Sequence, residues 1–423
     1  MLGIFILNDF AFTLSIEALY LLFKSLLSEA WILKTLGFAI LVGSVMALIE
    51  KSGGIEGFVH YVHDKNAFID SPRSALMLSY FLGVVIFIES SITSLIAGAV
   101  GKPLCDKQGV SRAKLAYVCD STSAPISSII VLNGWGALLL GLIASQITQG
   151  VISGESIPIL IDSVMYNFYA MSALVITFLS VWFNIDIGPM KNAKPFVLAE
   201  HTFSKKNQSK WLMILPIALM VFFVFIFLYI TGDGNVLKGS GSSSIFYTMI
   251  ATLLFILIYY VGTKNISPKE YVKTTFFGAK KLFPIAMILL FAFAIGKVTV
   301  ELKTGLYLAS LADENLSLYF LGAVVFLLSS LIAFSTGTSW GTFSIMIPVA
   351  VPMAVAMDAN VALCIGAVIS GGVFGDHCSP ISDTTIISSM ATECEVVEHV
   401  KTQLPYALIS GVIAILLFII FSY

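Results

Sequence analysis

The segment from Phe374 to Ser389 carries the residues of this sequence that are most able to do chemistry, and it reads FGDHCSPISDTTIISS. Two carboxylates, Asp376 and Asp383, and one imidazole, His377, lie in a run that is otherwise apolar enough to cross a bilayer. An ionisable side chain in hydrocarbon is costly unless it is paired, hydrated or bound to an ion, so such residues usually mark a pathway for ions, protons or solutes. Asp376 and Asp383 are therefore the first candidates for a functional site. His377 could shuttle a proton near neutral pH, although a buried histidine bonded to a neighbouring carbonyl is an equally good interpretation.

Two further acids, Asp120 and Glu89, occur in apolar stretches of the first half and are predicted to lie on the pathway for the same reason. Pro125 and Pro380 closely follow Asp120 and Asp376, and each removes a backbone donor, so a helix break is expected at each proline. A break exposes carbonyl oxygens, which suit a small hard cation. We expect hydroxyl and amide side chains to complete an oxygen shell: Ser123, Ser127, Thr336, Thr338, Ser379, Ser382, Thr384 and Asn133.

The elements that position these residues must be membrane helices, because the composition excludes a soluble domain. The chain has 423 residues, of which 58% are hydrophobic and only 11% are charged. Soluble domains have roughly 25% charged residues. Long apolar segments recur along the sequence and predict an all-α polytopic membrane protein with about 10–12 crossings. Four segments are too long for one straight crossing and contain polar clusters, so we expect broken helices or re-entrant hairpins at 74–100, 114–147, 319–357 and 360–391.

Similar runs in the two halves of the sequence predict an internal repeat. The run DSTSAPISSII from Asp120 is similar to DHCSPISDTTII from Asp376, and FIESSITS from Phe87 precedes the first run much as FSTGTSWG from Phe334 precedes the second. Transporters built from two related halves place their site where the halves meet. We therefore expect a first repeat over 1–190 with a hairpin near 88–103 and a broken helix near 114–135, a linker and connecting helix over 191–243, and a second repeat over 244–423 with a hairpin near 335–357 and a broken helix near 360–391.

Two long motifs resemble the NhaC-type Na+/H+ antiporter family, which is part of the wider ion transporter superfamily. They are GDHCSPISDTT, from Gly375 to Thr385, and the first-half pattern DKxxVSRxKLAYxxDSTxAP. The resemblance implies two inverted repeats, each with a re-entrant hairpin and a broken helix around the site. It also implies exchange of Na+ for H+, and dimerisation is expected from the resemblance alone.

Carboxylate chemistry supplies a mechanism for this exchange. Neutralising a buried carboxylate with either Na+ or H+ removes the cost of moving it through a closed state. We expect Asp376 and Asp383 to bind the two ions in turn, with Asp120 as a further Na+ ligand and Glu89 contributing from the first half. No cofactor is expected beyond these ions. The chain is predicted to be a multi-pass protein of the bacterial inner membrane, with ions and lipids but no nucleic acid as partners.

Two departures from the family motifs leave other interpretations open. Many relatives have F-x-D-D-Y where this chain has FIESS from Phe87, and S-S-W-G-A where it has NGWGA from Asn133. A missing carboxylate could make room for a solute that brings its own, so Na+-coupled symport or exchange of an amino acid or small carboxylate is the alternative.

Outside transport, Gly337–Gly341 fits G-x-S-x-G and would pair Ser339 with His377 in an intramembrane serine hydrolase, but that motif needs a strand-to-helix elbow. The sequence has neither HExxH nor a Walker loop, so we expect an ion gradient as the energy source and no enzymatic activity.

Overall fold

A computed structural model describes residues 2–55, 57–58, 61, 71–87, 90–131, 133–195, 209–236, 239–302, 307 and 318–422 of the chain. Regular structure in these ranges is helical, apart from an isolated β-bridge between Ser111 and Pro195. The first helices are α1 (Leu2–Leu7), α2 (Phe12–Ser28), α3 (Ala30–Lys51), α4 (Pro72–Val85), α5 (Ser90–Lys107), α6 (Arg112–Ile129), α7 (Gly134–Thr148), α8 (Ser156–Val164) and α9 (Phe168–Trp182). They are followed by α10 (Trp211–Thr231), α11 (Gly241–Ile256), α12 (Pro268–Glu301), α13 (Leu318–Thr336), α14 (Ser339–Ala356), α15 (Val361–Cys378), α16 (Asp383–Thr392) and α17 (Val396–Phe421).

Seven of the described helices are long and apolar enough to cross a bilayer: α3, α10, α11 with its continuation to Val261, α13, α14, α15 and α17. Two bent pairs raise the number to nine, namely α6 with α7, whose axes differ by 40°, and α8 with α9, whose axes differ by 43°. The all-helical membrane fold expected from the composition is confirmed. Some apolar segments form shorter elements: α4 is about 21 Å long at 1.5 Å per residue, whereas a bilayer core is about 30 Å thick.

The helices α6 and α15 form the interior of the protein. Every residue of α6 from Ala113 to Ser128 is buried. In α15, 78% of the membrane-spanning window is buried inside the protein, compared with 28% for α10. The polar side chains of α6 and α15 therefore contact protein rather than lipid, which is the condition under which ionisable groups are tolerated at membrane depth.

The two proline-containing runs differ in where the helix breaks. In the second half, α15 ends at Cys378 and α16 begins at Asp383, so Pro380 lies within the break. In the first half, Pro125 lies inside α6, which continues to Ile129 before the chain bends into α7. The prediction of a break at Pro125 was wrong. Membrane helices tolerate a proline where neighbouring groups satisfy the freed backbone, and α6 is packed on all sides.

A pair of contacting helices precedes each broken helix. In the first half, α4 and α5 are joined by residues 86–89, and in the second half α13 and α14 are joined by Gly337 and Thr338. The order of elements is therefore the same in both halves, as a duplicated sequence would require. The repeat boundaries and the inverted relation of the halves stay predictions.

Gly337 brings the second hairpin against the break after α15. It has a φ of +67°, and a Cβ built on it would lie 2.6 Å from the carbonyl oxygen of Ile381. Alanine at this position would be strained and would displace the break, so Gly337→Ala should lower the free energy of unfolding by about 1–3 kcal/mol.

Gly262→Ala is the matched control for this prediction. Gly262 has a φ of −61°, and nothing lies within 4 Å of its Cβ position, so alanine should be neutral or slightly stabilising there. Thermal unfolding of the two purified variants measures the difference. Equal melting temperatures would contradict a close approach of the hairpin to the break.

Candidate ion-binding site

Asp376 lies in the last turn of α15 and is fully buried. Its Oδ2 atom accepts a hydrogen bond of 2.7 Å from the hydroxyl of Ser339 at the start of α14. Its Oδ1 atom has no hydrogen-bond partner among the described residues. A buried carboxylate oxygen without a donor is costly when the group is charged, so this position favours a proton or a cation.

Hydroxyl side chains form hydrogen bonds at the break between α15 and α16. The amide of Ser379 donates to the carbonyl of Asp376 at 3.1 Å, and its hydroxyl donates to the carbonyl of Phe334, near the end of α13, at 2.8 Å. The hydroxyl of Ser382 lies 3.1 Å from that of Thr384, and all three hydroxyl residues are buried. The break thus places hydroxyl and carbonyl oxygens, the ligands that a small cation prefers, near Asp376.

Asp383, the second acid of the motif, is exposed rather than buried. It is the first residue of α16, and its carboxylate accepts a hydrogen bond of 2.9 Å from the amide of Thr384. The partial positive charge of a helix N-terminus stabilises a carboxylate at this position. In the described part of the chain, no three histidine, cysteine or carboxylate side chains gather into a metal-binding set.

Asp120, on α6, is fully buried, and both of its carboxylate oxygens lie within 3.4 Å of polar side chains. Its Oδ2 atom lies 2.8 Å from Gln403 Nε2, 3.3 Å from the hydroxyl of Thr385 and 3.3 Å from His399 Nε2. Its Oδ1 atom lies 3.4 Å from the hydroxyl of Ser388. The donors come from α16 and α17, so Asp120 joins the first half of the chain to two helices of the second half.

Two of these donors also reach the end of α15. The hydroxyl of Thr385 lies 3.3 Å from the carbonyl of Asp376, and Gln403 Nε2 donates to the carbonyl of His377 at 2.9 Å. The C-terminal carbonyls of a helix carry partial negative charge and repel a nearby carboxylate. Thr385 and Gln403 place donors between Asp120 and these carbonyls, which relieves that repulsion.

The break between α6 and α7 is tied to its hairpin in a similar way. Asn133 accepts a hydrogen bond from the amide of Gly136 at 3.0 Å and so caps α7. Its side-chain amide donates to the carbonyls of Ser127 at 2.8 Å and Phe87 at 2.9 Å. Phe87 and Phe334 begin the two aligned hairpin motifs, and each has its carbonyl bound by a polar side chain of the following break.

The remaining first-half hydroxyls lie along α6. Ser123 donates to the carbonyl of Asp120 at 3.2 Å and accepts from the hydroxyl of Ser94 on α5 at 2.8 Å. Ser94 in turn accepts from Ser388 at 3.1 Å. The hydroxyl of Ser127 is buried and has no partner among the residues that the structure describes. Ser123 therefore belongs to the hydrogen-bonded cluster around Asp120, whereas the Ser127 hydroxyl stands outside it.

His377 is not placed to act as the general base for a serine nucleophile. His377 is buried, and its Nδ1 atom lies 2.9 Å from the hydroxyl of Tyr169 on α9. The hydroxyl of Ser339 instead donates to Asp376 at 2.7 Å and lies 3.1 Å from the carbonyl oxygen of Gly372. A hydrolase needs its nucleophile hydrogen-bonded to the base, so the alternative that paired Ser339 with His377 has no geometric support.

Two predicted site residues, Thr336 and Thr338, are not brought to the aspartates. Thr336 is exposed, and its hydroxyl donates to the carbonyl of Ile332 in the same helix at 2.8 Å. Thr338 caps α14 by accepting from the amide of Gly341 at 3.4 Å. Glu89 lies outside the described residues.

His399 and Gln403 were missed by the sequence analysis. Both are fully buried on α17, and they are four residues apart, which places them on one face of the helix. Two polar residues at this spacing in the last apolar run were the available signal. Thr385, Ser388 and Ser339 were missed as site residues although they lie within or beside the quoted motifs.

The far end of α16 is anchored by ion pairs to the first half. Glu393, which follows α16, lies 2.5 Å from Lys102 Nζ and 2.9 Å from Arg112 Nη1. Arg112 also pairs with buried Asp106 at 3.2 Å. The helix that carries Asp383, Thr385 and Ser388 is thus fixed at its end by residues of α5 and α6.

Comparison with known proteins places these features in a family. The family model described as the Na+/H+ antiporter family matches residues 133–423. The chain is 36% identical over 396 residues to an uncharacterised protein of Haemophilus influenzae, a match that covers 88% of this chain and 75% of that protein. It is 31% identical over 134 residues to the malate-2H+/Na+-lactate antiporter of Bacillus subtilis, covering 30% of this chain and 29% of that protein.

A solved structure supports the same fold. The crystal structure of the YdaH transporter of Alcanivorax borkumensis superposes with a TM-score of 0.62 at 13% identity, covering 96% of this chain and 88% of that one. The family and the fold are those of transporters rather than enzymes, and the apolar helices make this chain a multi-pass membrane protein. The chain belongs to the Na+/H+ antiporter family.

Proposed function

We propose that the chain exchanges Na+ for H+ across the bacterial inner membrane and that Asp376 binds either ion in turn. The observation that carries the proposal is the environment of this carboxylate, which is buried, accepts one hydrogen bond from Ser339 and leaves Oδ1 without a partner among the described residues. A bare charge is unfavourable there, whereas a proton or Na+ neutralises it. Because the two ions compete for one oxygen, binding of one releases the other, and exchange follows.

The neighbouring oxygens support a Na+ shell around this carboxylate. The hydroxyls of Ser339, Ser382 and Thr384 and the carbonyls of the last turn of α15 are the candidate ligands. Asp383, exposed at the start of α16, would attract a cation arriving from water. Asp120 would have a positioning role, because its oxygens already accept hydrogen bonds from α16 and α17.

A second candidate function is Na+-coupled exchange of a small carboxylate. The similarity to a malate-2H+/Na+-lactate antiporter favours it, although that match covers 30% of this chain. In this mechanism Asp376 would keep its role as the Na+ or proton site, and the organic anion would be an additional cargo. Amino acids would be tested beside carboxylates, because both carry the same anionic group.

Purified protein in liposomes with an imposed pH gradient and an internal pH dye tests the proposal. A pulse of Na+ should dissipate the gradient, whereas choline chloride and protein-free liposomes should not. Because a proton on the ligand excludes the cation, the apparent KM for Na+ should rise as pH falls, by up to about tenfold per pH unit. No response to Na+, Li+ or K+, together with Na+-dependent uptake of one carboxylate or amino acid, would replace exchange of Na+ for H+ by the second candidate.

A further inference from the structure

The side-chain amide of Asn133, in the break between α6 and α7, is held against two backbone carbonyl groups. Its Nδ2 atom lies 2.8 Å from the carbonyl oxygen of Ser127 and 2.9 Å from that of Phe87. Ser127 is in the last turn of α6, where the carbonyl groups of a helix lack a partner within the helix. Phe87 follows α4 and begins the first hairpin motif. The two N–H groups of one nitrogen thus join the end of a buried helix to its hairpin.

The oxygen of the same side chain fixes which way the amide points. Asn133 Oδ1 accepts the hydrogen bond of 3.0 Å from the amide of Gly136 that caps α7. Exchanging the two side-chain atoms would place an oxygen against both carbonyls and a donor against the Gly136 amide. The N–H groups of Asn133 therefore face the carbonyl oxygens, and its own oxygen is already used by the helix cap.

Carbonyl oxygens at the end of a buried helix attract positive charge. The C-terminal end of a helix carries a partial negative charge, and in transporters built from broken helices such ends coordinate Na+. Ser127 adds a hydroxyl that is buried and has no partner among the described residues. The polarised N–H groups of Asn133 supply partial positive charge to the two carbonyls, which is the contact that a bound cation would otherwise make.

The break in the second half differs because a carboxylate lies beside it. The hairpin carbonyl of Phe334 accepts a hydrogen bond of 2.8 Å from the Ser379 hydroxyl, which has no second hydrogen to donate. Asp376 Oδ1 has no hydrogen-bond partner among the described residues. A neutral donor satisfies the two carbonyls of the first break, whereas the second break retains an acceptor that favours a proton or a cation.

We propose that the amide of Asn133 takes the place of a cation in the first half, so that the chain binds a single Na+, at Asp376. The location of the bound ion rests on the proposed function, whereas the closed first break rests on the contacts of Asn133. Asn133 is then the residue that sets the number of bound ions. A carboxylate in its place would need a cation between its oxygen and the two carbonyls.

Equilibrium binding of radioactive Na+ to the purified full chain in detergent counts the ions. One Na+ per chain is expected, and none is expected for Asp376→Asn. Two Na+ for the unaltered chain and one for Asp376→Asn would overturn the inference while leaving Asp376 as an ion site. One Na+ for both proteins would overturn the proposed role of Asp376, and with it the single site inferred here.

Asn133→Asp tests the cause. The carboxylate has nearly the shape of the amide and can still cap α7, but it sets a charged oxygen against the carbonyls of Ser127 and Phe87. The variant should bind one more Na+ than the unaltered chain. Its melting temperature should rise by about 3 °C when Na+ replaces choline at about 100 times its Kd. The rise should grow between about pH 7 and pH 9, because a proton can neutralise the same carboxylate.

Asn360→Asp is the matched control. Asn360 caps α15 in the same way, with Oδ1 accepting from the amide of Leu363 at 3.1 Å, but its Nδ2 atom lies 3.2 Å from the hydroxyl of Tyr166, which can itself donate to a carboxylate. Its ion count and its response to Na+ should equal those of the unaltered chain. An Asn133→Asp variant that behaves like this control would overturn the inference. If Asn133→Asp does not fold, the ion counts of the unaltered chain and of Asp376→Asn still decide it.

Discussion

Replacing Asp376 with asparagine is expected to reduce Na+-driven proton movement in proteoliposomes by at least about 100-fold, equivalent to about 2.7 kcal/mol of transition-state stabilisation. The amide has nearly the shape of the carboxylate and its oxygen can still accept the hydrogen bond from Ser339. It cannot release a proton or neutralise a cation. The variant should keep its fold, because no buried charge is left unpaired.

Asp358→Asn is the matched control for this change. Asp358 is exposed in the loop after α14 with a φ of +53°, a left-handed conformation that asparagine adopts readily. Initial rates of dye response after a Na+ pulse, measured at several pH values, compare the two variants. Full exchange by Asp376→Asn, with unchanged dependence on pH, would show that another group carries the proton.

Replacing Asp120 with alanine should instead destabilise the protein by about 2–4 kcal/mol. Four side chains, those of Thr385, Ser388, His399 and Gln403, would lose the acceptor that they share. A single hydrogen bond in a membrane protein contributes only about 0.6 kcal/mol on average, so the size of the effect comes from losing several contacts at one fully buried position and from the cavity that the missing carboxylate leaves.

Unfolding of the purified variant by heat or denaturant in micelles measures this loss, with Asp162→Ala as the control at an exposed acid inside α8. Asp120→Asn should lose less stability, because its amide oxygen can still accept some of the same hydrogen bonds. A loss below about 0.5 kcal/mol for Asp120→Ala would mean that the cluster around Asp120 does not join the two halves.

The two aspartates are therefore expected to differ in kind. Asp376→Asn should be folded and unable to exchange ions, whereas Asp120→Ala should be poorly folded. The reverse result, with a stable and inactive Asp120 variant and an unstable Asp376 variant, would exchange the roles assigned to the two carboxylates. The distinction rests on one structural difference: polar side chains of α16 and α17 surround the carboxylate of Asp120, whereas the Oδ1 atom of Asp376 has no hydrogen-bond partner among the described residues.

Several site residues were predictable, because the free-energy cost of placing an ionisable side chain in a membrane depends on the residue type itself. Asp120 and Asp376 stand out in apolar runs, and both are buried where α6 and α15 form the interior. The same reasoning could not separate Asp376 from Asp383, which is exposed at the start of α16. Burial depends on how α16 packs, and the local sequence does not contain that information.

The positions of the helix breaks were likewise not predictable from the local sequence alone. Pro125 and Pro380 have the same local effect on the backbone, yet only Pro380 lies in a break. A proline removes one hydrogen bond, and the packing around the helix decides whether that loss ends it. The packing that holds α6 together past Pro125 is contributed by other helices, so the proline alone was an insufficient signal.

The composition determined that this protein lies in a lipid bilayer and is helical, because the cost of placing each residue type in lipid is local and adds along the chain. The motifs determined its family. Only the tertiary structure decided which carboxylate oxygen is left without a donor. Asp120 and Gln403 are separated by 283 positions in the sequence, yet their side chains form a 2.8 Å hydrogen bond. A contact at that separation is set by the packing of α6 against α17, and it provides Asp120 with a donor, whereas Asp376 Oδ1 has no partner among the described residues.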